Sequence, residues 1–248
     1  MAKNTESNVY TVLFATGMVL IVGTLLAFVS SSLKDKIAEN KRIEKQQNIL
    51  YAMGVNDNEE GSVNFVPKNK VAEEFSKYIT KQFVITGMKA VEDNKAYLID
   101  LKKEAAAAKD PNYKRRLPLF IGEKDNQEYY IIPVRGKGLW DAIWGYIALD
   151  KKLVIKGVYF DHAGETPGLG SNIKERFFMD DFEGEHIMNG DIFIGVTAAK
   201  GNADPKNLNK TDFKVDAIAG ATITGDGLSA MLKKDLAMYI PYLKTLKQ

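Results

Sequence analysis

The sequence contains no cysteine, only two histidines and no large excess of either charge. Without cysteine the chain forms no disulfide, holds no iron–sulfur cluster through thiolates, attaches no haem by thioether bonds and has no thiol nucleophile. Two histidines leave little material for a metal site. The 34 basic and 32 acidic residues give a formal net charge of +2, which provides no concentrated basic surface for nucleic acid. The sequence therefore predicts neither a metal centre nor nucleic-acid binding.

The remaining composition is that of a folded globular chain. Of the 248 residues, 45% are hydrophobic and 27% are charged. These fractions exclude a disordered tail or a polytopic membrane protein as the main body of the chain. The length predicts one large domain, or one domain with an appendage.

One long apolar run lies near the amino terminus. Between Glu6 and Lys34 there is no Asp, Glu, Lys, Arg or His, and from Val9 to Val29 the residues are apolar except for Tyr, Thr and Gly. A helix over this run rises about 31 Å, close to the hydrocarbon thickness of about 30 Å. A cleavable signal peptide has a shorter apolar stretch, of about 7–15 residues. The run therefore predicts an uncleaved transmembrane helix over residues 9–31, after a short tail over residues 1–8.

Charge alone leaves the orientation of this helix open. One lysine precedes the run, while five basic residues follow it closely: Lys34, Lys36, Lys41, Arg42 and Lys45. The positive-inside count would place the large domain in the cytoplasm. That count loses force when a long domain is translocated.

The rest of the chain is divided by charge and turn content. Residues 32–60 begin with a mixed-charge helical stretch and end in a turn-rich patch, so we interpret them as a stalk and linker. Residues 61–248 then form the domain. Its strand and helix patterns do not alternate regularly, which favours an α+β fold with a mixed or antiparallel sheet and flanking helices.

Hydrophobic periodicity predicts the elements of this domain. A short polar loop joins two of the predicted strands as a hairpin, and Pro133 places another strand at a sheet edge or bulge. Ala96–Asp100 fits either a strand or a helix entrance. The predicted helices are 71–83, 101–109, 172–179 capped by Ser171, and a final helix from about Gly225; the predicted strands are 129–134, 142–149, 153–160, 192–196 and 213–218.

The segment 216–227 is the first candidate site, because it follows a strand and precedes the final helix. Its small residues let a ligand approach the backbone, and the free N–H groups at a helix start favour phosphate. The hydroxyls of Thr222 and Thr224 project from the same turn. Capping and turn formation explain the bare pattern at least as well as a phosphate site does. The segment has neither the lysine of a P-loop nor a Gly-x-Gly-x-x-Gly fingerprint.

Two other segments are rich in glycine. Gly164–Gly170 makes a loop that presents backbone amides, and turn formation alone also explains it. In the segment 136–140, Trp140 is suited either to wall a planar ligand or to pack in the core. His162 is interpreted as a packed or solvated histidine rather than a ligand.

Taken together and in this order, the motifs resemble a known family. The anchor, Gly138-Leu139-Trp140, Gly164-Glu-Thr-Pro-Gly-Leu-Gly170 and Asp216-Ala-Ile-Ala-Gly-Ala-Thr-Ile-Thr224 resemble the C subunit of the bacterial sodium-translocating NADH:quinone reductases over essentially the whole chain. The resemblance implies an FMN attached by a phosphoester to Thr224. Ala219 stands where that family usually has Ser, a departure that leaves the acceptor hydroxyl intact.

The resemblance also implies roles for individual residues. Thr224 would be an attachment point rather than a catalytic nucleophile, because no general base for it is visible in the sequence. Thr222 would add a hydrogen bond to the flavin, and Asp216 would be recognised by a flavin transferase that uses FAD and a divalent metal. The other predicted cofactor-binding residues are Gly220, Ala221, Ile223, Leu139, Trp140, Glu165, Thr166, Gly168, Leu169 and Gly170.

By this resemblance the chain is a single-pass protein of the bacterial inner membrane, with a periplasmic flavin domain. It relays single electrons within a multi-subunit, sodium-translocating NADH:ubiquinone oxidoreductase and completes no catalytic cycle alone. Partner subunits would hold the sites for nicotinamide, iron–sulfur cluster and quinone.

Two alternatives stay open at this point. One is the G subunit of the related Rnf electron-transport complex, which shares the anchor, the glycine loop and the flavinylated threonine. The Gly138-Leu139-Trp140 segment and the longer chain favour the reductase family over the Rnf complex. The other is a cofactor-free, membrane-tethered binding or assembly module in which the segments 164–170 and 216–227 are only turns.

Overall fold

The computed structural model describes residues 7–201, 204 and 206–246. The chain divides into two compact units, Met1–Arg42 and Ile43–Gln248.

The first unit is dominated by helix α1 (Asn8–Ser32). Ser7 caps this helix, and its hydroxyl accepts a hydrogen bond from the Tyr10 N–H at 3.1 Å. The helix buries none of its residues, and its length and apolar composition are those of a membrane-crossing helix. Its bounds lie within a residue of the predicted span.

Helix α2 (Lys34–Ala52) changes character along its length. Its last residues, among them Ile49, Leu50 and Ala52, are buried in the core of the second unit. That unit therefore includes residues 43–60, which the sequence analysis assigned to the stalk and linker. The sequence analysis did not separate this apolar end from the stalk, because the charged residues and the apolar residues lie in successive turns of one helix.

The core of the second unit is a six-stranded antiparallel sheet in the order β2-β1-β3-β4-β5-β6. Its α+β class and antiparallel sheet are as predicted, and the hairpin of β5 and β6 is found. The strands are β1 (Ile79–Thr86), β2 (Lys89–Glu92), β3 (Leu117–Lys124), β4 (Gln127–Lys137), β5 (Ala142–Leu149) and β6 (Ile155–His162).

Pro133 lies in β4, which is an inner strand and not the edge that proline predicts. The pairing of β3 with β4 ends at Phe120 and Ile131, before the proline is reached. The next N–H on that side, from Arg135, donates to the Asp235 carboxylate at 2.8 Å. Proline is tolerated here because no neighbouring strand needs its missing N–H.

Some helix predictions need correction on the amino-terminal side of the sheet. The predicted helix 71–83 ends early, as α3 (Val71–Tyr78), because the β-branched stretch that follows pairs with β3 as β1. A 3-10 turn occupies Ala96–Leu98. Helix α4 (Leu101–Ala107) begins at the cap Asp100, whose carboxylate accepts from the N–H of Lys102 at 2.9 Å.

The segment after β6 is more irregular than predicted. Instead of the helix 172–179 there is a 3-10 turn at Gly170–Lys174, followed by the short α5 (Arg176–Met179). Ser171 caps neither element, since its hydroxyl accepts from the Gly168 N–H at 3.1 Å. Phe178 packs with Phe160 and Phe182 and so fixes this segment on the sheet.

The predicted strands 192–196 and 213–218 shrink to short pairings. Strand β7 (Met188–Asn189) pairs antiparallel with β8 (Ile192–Phe193). Strand β9 (Thr197–Ala199) pairs parallel with β10 (Lys214–Asp216).

Helix α6 (Thr222–Thr245) closes the fold and starts earlier than the predicted Gly225. It packs on β4, and its predicted apolar stripe of Leu228, Met231, Leu232, Leu236 and Tyr239 is buried. A Cβ at Gly227 would collide with the Lys137 carbonyl. This close approach places the amino-terminal end of α6 beside the end of β4 and the loop that follows it.

Candidate functional site

Three chain segments meet at a cleft of about 210 Å³. They are the loop after β4, the loop after β6 and the first turn of α6. The lining residues are Leu139, Glu165, Thr166, Leu169, Gly170, Gly220, Ala221, Thr222, Ile223 and Thr224. The cleft thus brings together all the predicted cofactor-binding residues except Trp140 and Gly168.

At the floor of the cleft, the Thr224 hydroxyl donates a hydrogen bond to Glu165 Oε2 at 2.6 Å. Both residues are buried, with exposures of 2% for Thr224 and 4% for Glu165. The second carboxylate oxygen, Oε1, accepts from the Trp140 N–H at 3.0 Å. The Glu165 N–H in turn donates to His162 Nδ1 at 3.1 Å. One carboxylate therefore joins all three segments.

Burial raises the pKa of Glu165, but the hydrogen bonds it accepts outweigh this effect. The Thr224 hydroxyl is the strongest of these donors, followed by the backbone N–H groups of Trp140, Asp141 and Leu139. The net pKa of Glu165 lies below its usual value, so this buried side chain is an anion at neutral pH.

Glycines make room for this contact. A Cβ at Gly170 would lie 2.5 Å from Thr224 Oγ1 and 2.6 Å from Glu165 Oε2, and a Cβ at Gly138 would lie 2.5 Å from Glu165 Oε1. These distances are too short for real atoms, so both positions must be glycine if the carboxylate is to stay in place. Gly220 has a φ of +75°, in the left-handed region that favours glycine.

The first turn of α6 opens toward the cleft. Its cap, Ala221, has no side-chain oxygen with which to satisfy the N–H groups of residues 222–224. Among the described residues, Gly225 is the first of this turn whose N–H donates to another residue, the Ala221 carbonyl at 2.9 Å. Unsatisfied N–H groups and the positive end of a long helix favour a bound anion such as phosphate.

The two hydroxyls of this turn differ in environment. Thr224 is buried and bonded to Glu165, whereas Thr222 is exposed at the rim. Residues two apart on an α-helix point about 200° apart, so one faces the interior and the other faces solvent.

An apolar rim surrounds the opening. Leu139, Leu169 and Ile223 are exposed by 43%, 41% and 59%. The Trp140 ring is exposed by 67%, and its Nε1 donates to Thr166 Oγ1 at 3.2 Å. Trp140 is thus neither a core residue nor part of the cleft lining, but it stands at the rim as a flat apolar surface.

Three residues singled out from the sequence lie elsewhere. Gly168, with a φ of +76°, forms the turn in the loop after β6. Asp216 ends β10, is half-buried and does not line the cleft. His162 serves as the acceptor for the Glu165 N–H. In the described ranges, no group of three or more His, Cys, Asp or Glu residues is placed to hold a metal ion.

Residues 138–237, which include every residue that lines the cleft, match the FMN-binding domain family. The chain is 30% identical to the C subunit of the Na⁺-translocating NADH-quinone reductase of Pseudomonas aeruginosa, over 92% of this chain and 91% of that protein. It is 25% identical to the corresponding protein of Vibrio alginolyticus, over 92% and 90% of the two chains.

Solved structures agree with these relatives. The crystal structure of the C subunit from Parabacteroides distasonis superposes with a TM-score of 0.71 at 31% identity, covering 85% of this chain and 96% of that one. Shewanella oneidensis NqrC shares the fold, with a TM-score of 0.65 at 24% identity over 83% and 99% of the two chains. The chain belongs to the C-subunit family of the Na⁺-translocating NADH-quinone reductases, which confirms the resemblance drawn from its motifs.

Proposed function

We propose that the chain is the membrane-anchored flavoprotein subunit of a Na⁺-translocating NADH:quinone oxidoreductase and carries FMN in a phosphoester bond to Thr224. The family supports a flavoprotein in this oxidoreductase complex. The observation that carries the attachment site is the placement of the Thr224 hydroxyl on the cleft floor, at the open amino-terminal turn of α6.

The residues of the cleft fit a flavin nucleotide. The first-turn N–H groups of α6 suit a phosphate, and Gly170 and Gly220 leave space for it beside the backbone. The exposed side chains of Leu139, Leu169 and Ile223 offer apolar contact to a ring system. The Glu165 carboxylate is the exception, because an anion beside a phosphoester is unfavourable unless one of them is neutralised.

Within this proposal the chain positions and shields the cofactor. Bound FMN would supply the one-electron redox chemistry. Thr224 fixes the phosphate end, Thr222 is placed to donate a hydrogen bond at the rim, and Trp140 covers one side of the opening. Asp216, outside the cleft, is available to a flavin transferase during maturation.

The membrane assignments rest on α1 and on the family. An apolar helix of this length, in a protein of a membrane complex, acts as a single anchor. The flavin domain would face the periplasm of the bacterial inner membrane and exchange electrons with other subunits of the complex.

The test is co-expression of the full-length chain with a flavin transferase. We expect fluorescence that survives denaturing electrophoresis, together with a mass increase of one FMN less one water. Thr224→Val removes the hydroxyl and should abolish both signals. Thr224→Ser should retain part of the modification, and Thr222→Val, two positions earlier on the rim, should retain most of it because the acceptor hydroxyl is still present.

A folded wild-type chain that carries no covalent flavin under these conditions would refute the attachment and leave the cofactor-free assembly module as the better interpretation. Modification that persists in Thr224→Val would show that FMN is attached to another residue.

A further inference from the structure

We propose that Glu165 takes the hydroxyl proton of Thr224 when that residue is modified, and keeps it, so that the carboxyl changes from hydrogen-bond acceptor to donor. This inference rests on the proposed attachment of FMN to Thr224. It gives the site a general base that the sequence does not reveal.

The contact itself is the first support. Glu165 Oε2 lies 2.6 Å from Thr224 Oγ1, within the range required of a general base. Among the residues that line the cleft, all in the described part of the chain, Glu165 is the one with an acidic or basic side chain. Both groups are nearly inaccessible to water, so no bulk solvent competes for the proton.

The carboxylate is also held in a fixed position. Its other oxygen accepts from the Trp140 N–H at 3.0 Å, which leaves Oε2 directed at Thr224. Gly138 and Gly170 pack so closely that a Cβ at either position would overlap the carboxylate. A proton acceptor must be held in a fixed position relative to the donor, whereas a side chain that only caps a helix need not be.

The proposed step conserves atoms and electrons. The Thr224 O–H bond breaks, and the proton passes to Glu165 Oε2. Thr224 Oγ1 then forms a bond to phosphorus of a flavin nucleotide that carries a leaving group on its phosphate, such as the adenosine monophosphate group of FAD. The phosphorus–oxygen bond to that leaving group breaks, and the nucleoside monophosphate departs with the electron pair. No electron donor or acceptor is required.

Electrostatics explain why the proton stays. In the unmodified protein the Thr224 hydroxyl is the strongest of the hydrogen bonds that lower the pKa of Glu165. Modification removes this donor and places a negative phosphodiester beside the carboxylate, so both changes raise the pKa. A protonated Glu165 donates a hydrogen bond where the ionised form would repel the phosphate.

Other charged or titratable residues on the three segments are not in this contact. Lys137, Asp141 and Asp226 are exposed, and the Asp141 carboxylate accepts from the Ala142 N–H at 2.6 Å. His162 meets the backbone of Glu165 rather than its carboxylate.

The first experiment measures the rate of flavin incorporation into the full-length apoprotein by intact mass, with a flavin transferase and FAD, between pH 5 and pH 9. Glu165→Gln keeps the size of the side chain but removes its basicity, and we expect incorporation to slow by about 10²-fold or more. The acid limb of the pH profile should vanish in this variant. The control Glu123→Gln, at an exposed position of β3, should match the wild type.

The second experiment separates proton transfer from binding. Noncovalent FMN affinity is measured by fluorescence quenching, without transferase, in Thr224→Val and in Thr224→Val/Glu165→Gln. Removal of the negative charge should tighten binding by about tenfold, the equivalent of one pKa unit of interaction. If Glu165 acts as a base, Glu165→Gln should slow the modification of Thr224 but tighten FMN binding. If Glu165 has only a structural role, the same substitution should slow the modification and also weaken FMN binding.

The outcomes are distinct. Glu165→Gln modified at the wild-type rate, or slowed only in proportion to weaker FMN binding, overturns the inference while the attachment to Thr224 stands. A wild-type chain that takes up no flavin refutes the proposed function instead. If Glu165→Gln does not fold, Glu165→Asp tests the inference instead, because it keeps a carboxylate but moves it away from the Thr224 hydroxyl. An unchanged rate and pH profile of flavin incorporation in Glu165→Asp would count against proton transfer.

Discussion

Gly170 is the position where a single methyl group should test the geometry of the cleft most directly. An alanine Cβ there would lie 2.5 Å from Thr224 Oγ1, 2.6 Å from Glu165 Oε2 and 3.2 Å from Glu165 Cβ. Gly170 does not have a positive φ, so alanine introduces no backbone strain and the effect is purely one of contact. The methyl group must therefore push the hydroxyl and the carboxylate apart.

The magnitude follows from overpacking. Extra methyl groups in a well-packed site cost about 1–3 kcal/mol. In a domain of this size, each kcal/mol lowers Tm by about 3 °C, so Gly170→Ala should lower it by about 3–9 °C. Thr224 sits in the first turn of a long helix and Glu165 is held by the Trp140 N–H, so neither relaxes freely.

The assay is thermal unfolding of the full-length protein in detergent, followed by circular dichroism, together with the rate of flavin incorporation. Gly164→Ala is the matched control in the same loop, because its Cβ would meet nothing closer than the Asp141 Cβ at 4.0 Å. We expect Gly170→Ala to lose both stability and flavin incorporation, and Gly164→Ala to lose neither. Equal melting temperatures and equal incorporation in the two variants would refute the packing argument.

Two predictions concern buried polar groups outside the cleft. Burial raises the pKa of Glu185 from 4.5 to about 7, so its protonated form stabilises the fold below pH 4.5 and that contribution is lost as the pH rises through 7. Glu185→Gln should therefore reduce the fall in Tm between pH 5 and pH 8; an unchanged fall would show that another group causes it. The Tyr239 hydroxyl donates to the Pro118 carbonyl at 3.0 Å, and Tyr239→Phe should cost about 1–3 kcal/mol in urea unfolding, because it leaves a buried acceptor unpaired. No change in the urea midpoint would mean that water replaces the hydroxyl.

Elements with strong local signals were predictable from the sequence. The hairpin of β5 and β6 follows from two apolar stretches around a polar turn, and the stripe of α6 follows from its period. The predictions were wrong where tertiary contacts, rather than local sequence, determine the secondary structure. The stretch after Tyr78 has helical spacing, but it pairs with β3 as a strand. Pro133 sits in an inner strand because the neighbouring strand has already diverged, which no local pattern records.

The same distinction applies to the site. The segments 164–170 and 216–227 were identified as candidates from composition and spacing, because clustered small residues, and small residues beside a helix start, are local patterns. The partnership of Glu165 with Thr224 was not, because the two residues are 59 positions apart and meet only when α6 packs on β4. The sequence signal for this contact was a glutamate within a glycine-rich loop. That signal does not show whether the glutamate is buried, and burial is what distinguishes Glu165 from an exposed loop residue.

Under the proposed attachment, burial also makes the two threonines of the first turn of α6 unequal as acceptors of the flavin phosphate. Thr222 is the more accessible hydroxyl, and accessibility alone would favour its modification. Thr224 is the hydroxyl with a carboxylate at hydrogen-bond distance, so it alone of the two has a proton acceptor in place. Chemistry at Thr224 therefore requires the rim residues Leu139, Leu169 and Ile223 to admit the nucleotide to the cleft floor. Under the proposed attachment, proton transfer rather than exposure selects the threonine, and Thr222→Val and Glu165→Gln should therefore differ widely in their effect on flavin incorporation.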